Sequence, residues 1–163
     1  MITGIHHHVY RCRDAGATRE FYEDFLGLPL VRTFRARRTA TGRAVDLLHT
    51  TYRLGDRSFL EFFEVPGQPF LFKDQHDFDL HLAIEMDAET QARLGALARA
   101  RGMQVRGPSD HGPMASLYVR DPSGYVVELT AYKPGEAATS MAPQAEARAT
   151  LDDWQATKPA ATS

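Results

Sequence analysis

The sequence predicts an α+β fold made of two paired βαβββ modules whose curved sheets form a cup. Three observations predict it. The order of strand-like and helix-like runs over about residues 4–67 recurs over about 78–133. A histidine opens each repeat, His7 and His81, and an acid sits in the last strand of each, Glu61 and Glu128. Asp14 and Asp87 also hold equivalent places. Self-similarity at this scale points to a duplicated supersecondary unit.

The elements follow in order. IHHHVYRCRD is β-branched, aromatic and alternating, and reads as the first strand. In ATREFYEDFLGLPL, Phe21, Tyr22, Phe25 and Leu26 recur at helical spacing and Gly27 stops the helix. VRTFRARR, AVDLLHTTYRL and SFLEFFEV are strand runs separated by the turn signals TGR and GDR. In the second half DLHLAIEMD is a strand, AETQARLGALARARG is a strong helix closed by Gly102, and MQVRG, ASLYVRD and YVVELTAY are strands. Pro122, Ser123 and Gly124 form a tight turn. Residues 1–133 therefore form one domain of two modules. The tail, 134–163, shifts to Ala, Thr, Pro, Glu and Gln. It is expected to be partly disordered or to hold a short helix, with Leu151 and Trp154 docking it on the domain.

Composition narrows the function. At 163 residues the chain buries a sizeable core without staples. Its net charge of -2, with no basic stripe interleaved by aromatics, argues against nucleic acid as a partner. No run approaches the roughly 20 apolar residues of a membrane span. The opening MITGIHHH has no basic region followed by an apolar core, so no secretory signal is expected. The single cysteine, Cys12, excludes an intrachain disulfide and fits a reducing, cytoplasmic compartment. It reads as a small core residue.

Strand parity places the chemistry. Side chains alternate between faces. Leu82, Ile84 and Met86 form an apolar face for the helix, which turns His81 the other way. Val127, Leu129 and Ala131 do the same for Glu128. In the first strand His7, Val9 and Arg11 share a face, while His6, His8, Tyr10 and Cys12 share the opposite one. If the sheets curl, His7, His81 and Glu128 converge. Two imidazoles and a carboxylate with open positions opposite is the donor set of a facial non-haem iron site, and it also suits Mn, Co, Ni or Zn. Arg35, Arg37, Arg38 and Arg43 in FRARRTATGR read as a solvated edge hairpin.

HHHVYRCRD followed by FYEDFLGLPLV, then LHLAIEMD and LYVRDPSGYVVEL, resembles the vicinal oxygen chelate superfamily of glyoxalases, fosfomycin resistance proteins and extradiol dioxygenases. The resemblance spans roughly residues 4–132. It implies paired modules around one divalent metal held by His7, His81 and Glu128. It also implies a small-molecule substrate and a homodimer. In glyoxalase-like members a further Glu or Gln on the last strand of the first module is a fourth ligand, and Glu61 occupies about that place.

A second motif matches the extradiol ring-cleaving signature: His111, then Leu117-Tyr118, Asp121-Pro122, Gly124 and Glu128. There the resemblance gives Tyr118 and His111 catalytic proton handling on a bound catechol-like substrate. Ser109 departs from that signature, and SFLEFFEV lacks the family's further active-site His. The leading expectation is an Fe(II) dioxygenase of the extradiol type. The alternatives are a redox-neutral lyase, isomerase or thiol transferase, and a metal-free drug-binding resistance protein. A binder has no need of the three ligand-type residues.

Overall fold

The computed structural model describes residues 1–39, 41–72, 76, 78–138 and 143–159. The chain forms two four-stranded sheets. The first holds β1 (His7–Arg11), β2 (Leu30–Arg38), β3 (Ala44–Arg53) and β4 (Phe59–Glu64) in the order β1-β4-β3-β2. The second holds β5 (Leu82–Glu85), β6 (Arg106–Asp110), β7 (Met114–Arg120) and β8 (Val126–Tyr132) in the order β5-β8-β7-β6. In each, the opening strand runs parallel to the closing strand and the other pairs are antiparallel. The duplicated βαβββ pattern is thus present strand for strand.

Each module has its helix between its first two strands. α1 (Ala15–Arg19) starts at Asp14, whose carboxylate accepts from the Ala17 N–H at 2.7 Å. It continues as a π-helical turn over Glu20–Phe25 that buries Phe21, Tyr22 and Phe25, and Gly27 follows with φ +80°. α2 (Ala88–Ala100) starts at Asp87, whose carboxylate accepts from the Thr90 N–H, also at 2.7 Å. It lies tight on β7: a Cβ on Gly95 would stand 2.6 Å from Leu117 Cδ1. The equivalence of Asp14 and Asp87 is therefore that of two N-caps.

The two helix-bearing faces share one core. Cys12, Tyr22, Tyr52, Leu60 and Phe62 from the first half join Ile84, Leu94, Leu117, Val127 and Leu129 from the second. Polar contacts lock the halves together. The Tyr22 hydroxyl donates to Asp121 at 3.2 Å and the Arg13 N–H donates to Ser123 Oγ at 3.1 Å. The rings of Tyr10 and Tyr125 lie 5.0 Å apart. Cys12 is in this core, where burial pushes its thiol up to about 11.

Two expectations need correction. The sixth strand lies at Arg106–Asp110, not over MQVRG, because Met103 and Val105 pack against the core as the lead-in to the edge. The tail does form a helix, α3 (Gln144–Thr157), but none of its residues is buried. Leu151 and Trp154 remain 55% and 59% exposed, so the expected docking does not occur. The arginine hairpin behaves as a solvated edge, where Arg35 forks onto Asp46 at 2.6 and 2.7 Å. Among the described residues no helix is long and apolar enough to cross a membrane.

Candidate functional site

The faces turned away from the helices carry the candidate residues. Strand register makes the two modules directly comparable. In the first sheet a row across the strands reads Val9, Glu61, Thr51, Arg32. In the second it reads Ala83, Glu128, Tyr118, Arg106. Glu61 and Glu128 are therefore register-equivalent, as their places in the repeat suggested, and an arginine ends each row on an edge strand.

In the second sheet the predicted residues gather. His81 Nε2 lies 3.0 Å from Glu128 Oε2. His111, in the β6–β7 turn, places Nε2 2.9 Å from the Tyr118 hydroxyl and 3.9 Å from Glu128 Oε1. Thr130 donates to Glu128 Oε1 at 3.2 Å and is itself bonded to Ser116 at 3.0 Å. Glu128 is thus a buried carboxylate with fixed oxygens. Burial, reinforced by the Glu128 charge, holds the Tyr118 phenol above its ordinary pKa, so it is a donor at neutral pH.

In the first sheet His7 Nε2 stands 3.9 Å from Glu61 Oε2. The same oxygen lies 3.1 Å from His49 Nε2. His49 was not singled out from sequence. It is mostly buried between the rings of Phe34 and Phe63, at 4.7 and 4.5 Å. Its parity with Thr51, opposite the buried Thr50 and Tyr52, is the signal that places it on this face. His6 is exposed, with its Nδ1 2.8 Å from Nδ1 of His7. A partner on the second ring nitrogen is how metal-ligating imidazoles are oriented.

The donors have the right chemistry for a divalent metal, namely imidazole nitrogens beside carboxylate oxygens. Within one chain they stand as two pairs, His7 with Glu61 and His81 with Glu128. Among the described residues no three His, Cys, Asp or Glu side chains lie close enough together to hold a metal.

Known proteins carry the same architecture. A glyoxylase/bleomycin resistance protein/dioxygenase domain from Frankia sp. EAN1pec superposes with a TM-score of 0.66 at 15% identity, covering 82% of this chain and 100% of its own. Fosfomycin resistance protein FosX from Mesorhizobium loti gives 0.59 at 17% identity, covering 91% and 99%. FosX from Listeria monocytogenes, solved in complex with Mn(II) and sulfate, gives 0.61 at 16% identity, covering 83% and 98%. No curated protein matches the sequence at a significant level. The family model of the Glyoxalase/Bleomycin resistance protein/Dioxygenase superfamily matches residues 4–129. With that match over most of its length and paired βαβββ modules throughout, the chain belongs to this superfamily.

Proposed function

We propose that the protein is a metal-dependent dioxygenase of the extradiol ring-cleaving type, acting on a small catechol-like substrate. The observation that carries this reading is the cluster of His111, Tyr118, Glu128 and His81 on one sheet face. His7, His81 and Glu128 are the proposed metal ligands, with Fe(II) preferred over Mn, Ni, Co or Zn. When bound, such a metal supplies Lewis acidity toward two vicinal oxygens and, as iron, one-electron chemistry toward O₂. The protein's own part is proton handling. Tyr118 donates a hydrogen bond at the substrate oxygen, and His111, 2.9 Å from that phenol, relays the proton. Glu61 is held by His49 and left out of the ligand set.

Two copies are proposed to complete the site: among the described residues of one chain no three of these side chains form a metal-holding group, and the modules share one core. His7 of one copy then meets His81 and Glu128 of the other. Mixing inactive His7→Ala and Glu128→Ala proteins tests this directly. A shared site regains about a quarter of the wild-type sites, and a site within one chain regains none.

The test of the reaction is anaerobic loading with Fe(II), addition of a catechol panel and then air. O₂ uptake with yellow ring-opened products is expected, slowed in Tyr118→Phe without loss of iron. One observation favours the redox-neutral alternative: Glu61 Oε2 lies 3.9 Å from His7, within reach of a shared ion. Turnover with Ni(II), Co(II) or Zn(II) without O₂, impaired by Glu61→Gln, would establish that reading instead.

A further inference from the structure

We propose that Thr130 and Ser116 are positioning residues: their hydroxyls form a chain that holds Glu128 Oε1 and presents Oε2 to the metal as a one-oxygen ligand. The inference rests on the proposed reading of Glu128 as a metal ligand, whichever reaction follows. Ser116 and Tyr118 of β7 pair in register with Thr130 and Glu128 of β8, so the four form one polar block on the open face. Ser116 is fully enclosed, and Thr130 and Glu128 are each 7% exposed. Buried hydroxyls have to be hydrogen-bonded, and these two are bonded to each other and to the acid.

The direction of the chain follows from counting protons. As a metal ligand Glu128 is a carboxylate, which only accepts. Thr130 therefore spends its single hydroxyl proton on Glu128 Oε1, at 3.2 Å. The 3.0 Å contact between Ser116 and Thr130 is then a bond that Ser116 donates. Each bond of such a chain polarises the next. The terminal torsion of a glutamate is broad, so a carboxylate without such a partner turns easily. With Oε1 held, Oε2 is left beside His81, 3.0 Å from Nε2.

The first sheet shows what the arrangement selects. Thr51 and Glu61 pair there as Tyr118 and Glu128 do, and His49 and Phe63 stand in the row of Ser116 and Thr130. That row again supplies a partner for the acid, since His49 Nε2 lies 3.1 Å from Glu61 Oε2. But Oε2 is also the oxygen that lies 3.9 Å from His7. In the first sheet the partner occupies the oxygen facing the module's opening histidine. In the second it occupies the other oxygen and leaves that one to the metal.

The test uses the full chain, with Zn(II) affinity read by chelator competition and carboxylate stretches read in infrared spectra of the Zn(II)-loaded minus the metal-free protein. The two stretches are widely split when one oxygen binds a cation and narrowly split when both do. The wild type should show a wide splitting that Glu128→Ala abolishes. Thr130→Val nearly keeps the shape and removes the hydroxyl. It should narrow the splitting and weaken Zn(II) binding about 10–100-fold, the usual loss on removing an outer partner. Thr130→Ser should restore both. Ser116→Ala should narrow the splitting with a smaller loss of affinity.

Wild-type affinity and splitting in both Thr130→Val and Ser116→Ala overturn the proposal. A loss of affinity that Thr130→Ser shares, with the splitting unchanged, also overturns it, because packing and not the hydroxyl is then responsible. A change confined to Thr130→Val overturns the role of Ser116. If Thr130→Val does not fold, Ser116→Ala decides by the same two readouts. Unaltered metal binding in Glu128→Ala overturns the ligand reading and the proposal with it. Narrowing in Thr130→Val that Thr130→Ser reverses, in a protein that cleaves no catechol, upholds the positioning role and overturns only the ring-cleaving reading.

Discussion

The two sheets share strand order, register and helix placement, yet their open faces have diverged. The first offers Phe34, His49 and Phe63 around Glu61, an aromatic setting in which an imidazole occupies the acid. The second offers His111, Tyr118, Thr130 and Arg106 around Glu128, a setting rich in proton donors. The helix-bearing faces tell the opposite story. Phe62 and Leu129 follow the two equivalent acids in sequence, and both are fully buried. Duplication has kept the hydrophobic side of each sheet and divided the labour on the other.

If that is right, the equivalent core positions should respond alike. Phe62→Ala is expected to lower unfolding free energy by about 3–5 kcal/mol and Leu129→Ala by about 2–5 kcal/mol, read from urea midpoints. A near-neutral result at either position would break the symmetry of the buried faces.

The corresponding turns should respond differently. Asp121, between β7 and β8, accepts from the N–H groups of Ser123, Gly124 and Tyr125 at 2.8–2.9 Å and from the Tyr22 hydroxyl of the other module. It is buried, so Asp121→Ala strands several donors and should cost about 3 kcal/mol. Asp56, between β3 and β4, accepts from the Ser58 N–H and hydroxyl and is open to solvent. Asp56→Ala should leave the urea midpoint almost unmoved. Equal losses at the two turns would mean that Asp121 does not join the modules.

The acids sharpen the functional side of the contrast. Glu128→Ala should weaken metal binding by more than the roughly 10–100-fold typical of outer partners, measured by chelator competition. Glu61→Gln should cost only a few-fold, and His8→Ala nothing. Metal lost equally from Glu61→Gln and Glu128→Ala would make the two faces equivalent and favour the four-ligand, redox-neutral chemistry.

Much of this was legible in the sequence because a strand repeats every two residues. Parity alone turned His81 and Glu128 away from the helix-facing side that holds Val127 and Leu129. The resemblance to the ring-cleaving signature named His111 and Tyr118, whose side chains meet at 2.9 Å. Parity fails where strands bulge. Register shifts fall between Leu30 and Arg32 and between Arg106 and Ser109, on both edge strands. The two row-ending arginines lie at those shifts. Convergence of His7 with His81 and Glu128 was a different kind of inference. It concerned how two sheets sit together, which the pattern of either sheet does not encode.

The smallest effect is expected at the tail. Leu151 and Trp154 lie three residues apart, the spacing of one helical face, and that local preference is satisfied by α3 itself. Docking needs a complementary surface, and all of α3 faces solvent. Lys133, just before the tail, is different: its ammonium reaches Asp110 at 2.7 Å and ties the end of β8 to β6. A chain ending at Lys133 keeps that contact. It should match the full chain in metal affinity and unfold within about 0.5 kcal/mol of it, the usual range for changes away from packed features. Trp154 is the sole tryptophan and reports independently. Its fluorescence in the folded protein should already resemble that of a solvated indole and shift little on unfolding. A blue-shifted emission that moves red with the main transition would place the helix against a partner surface, and in a protein proposed to pair, a loss of dimer on truncation would identify that surface as the second copy.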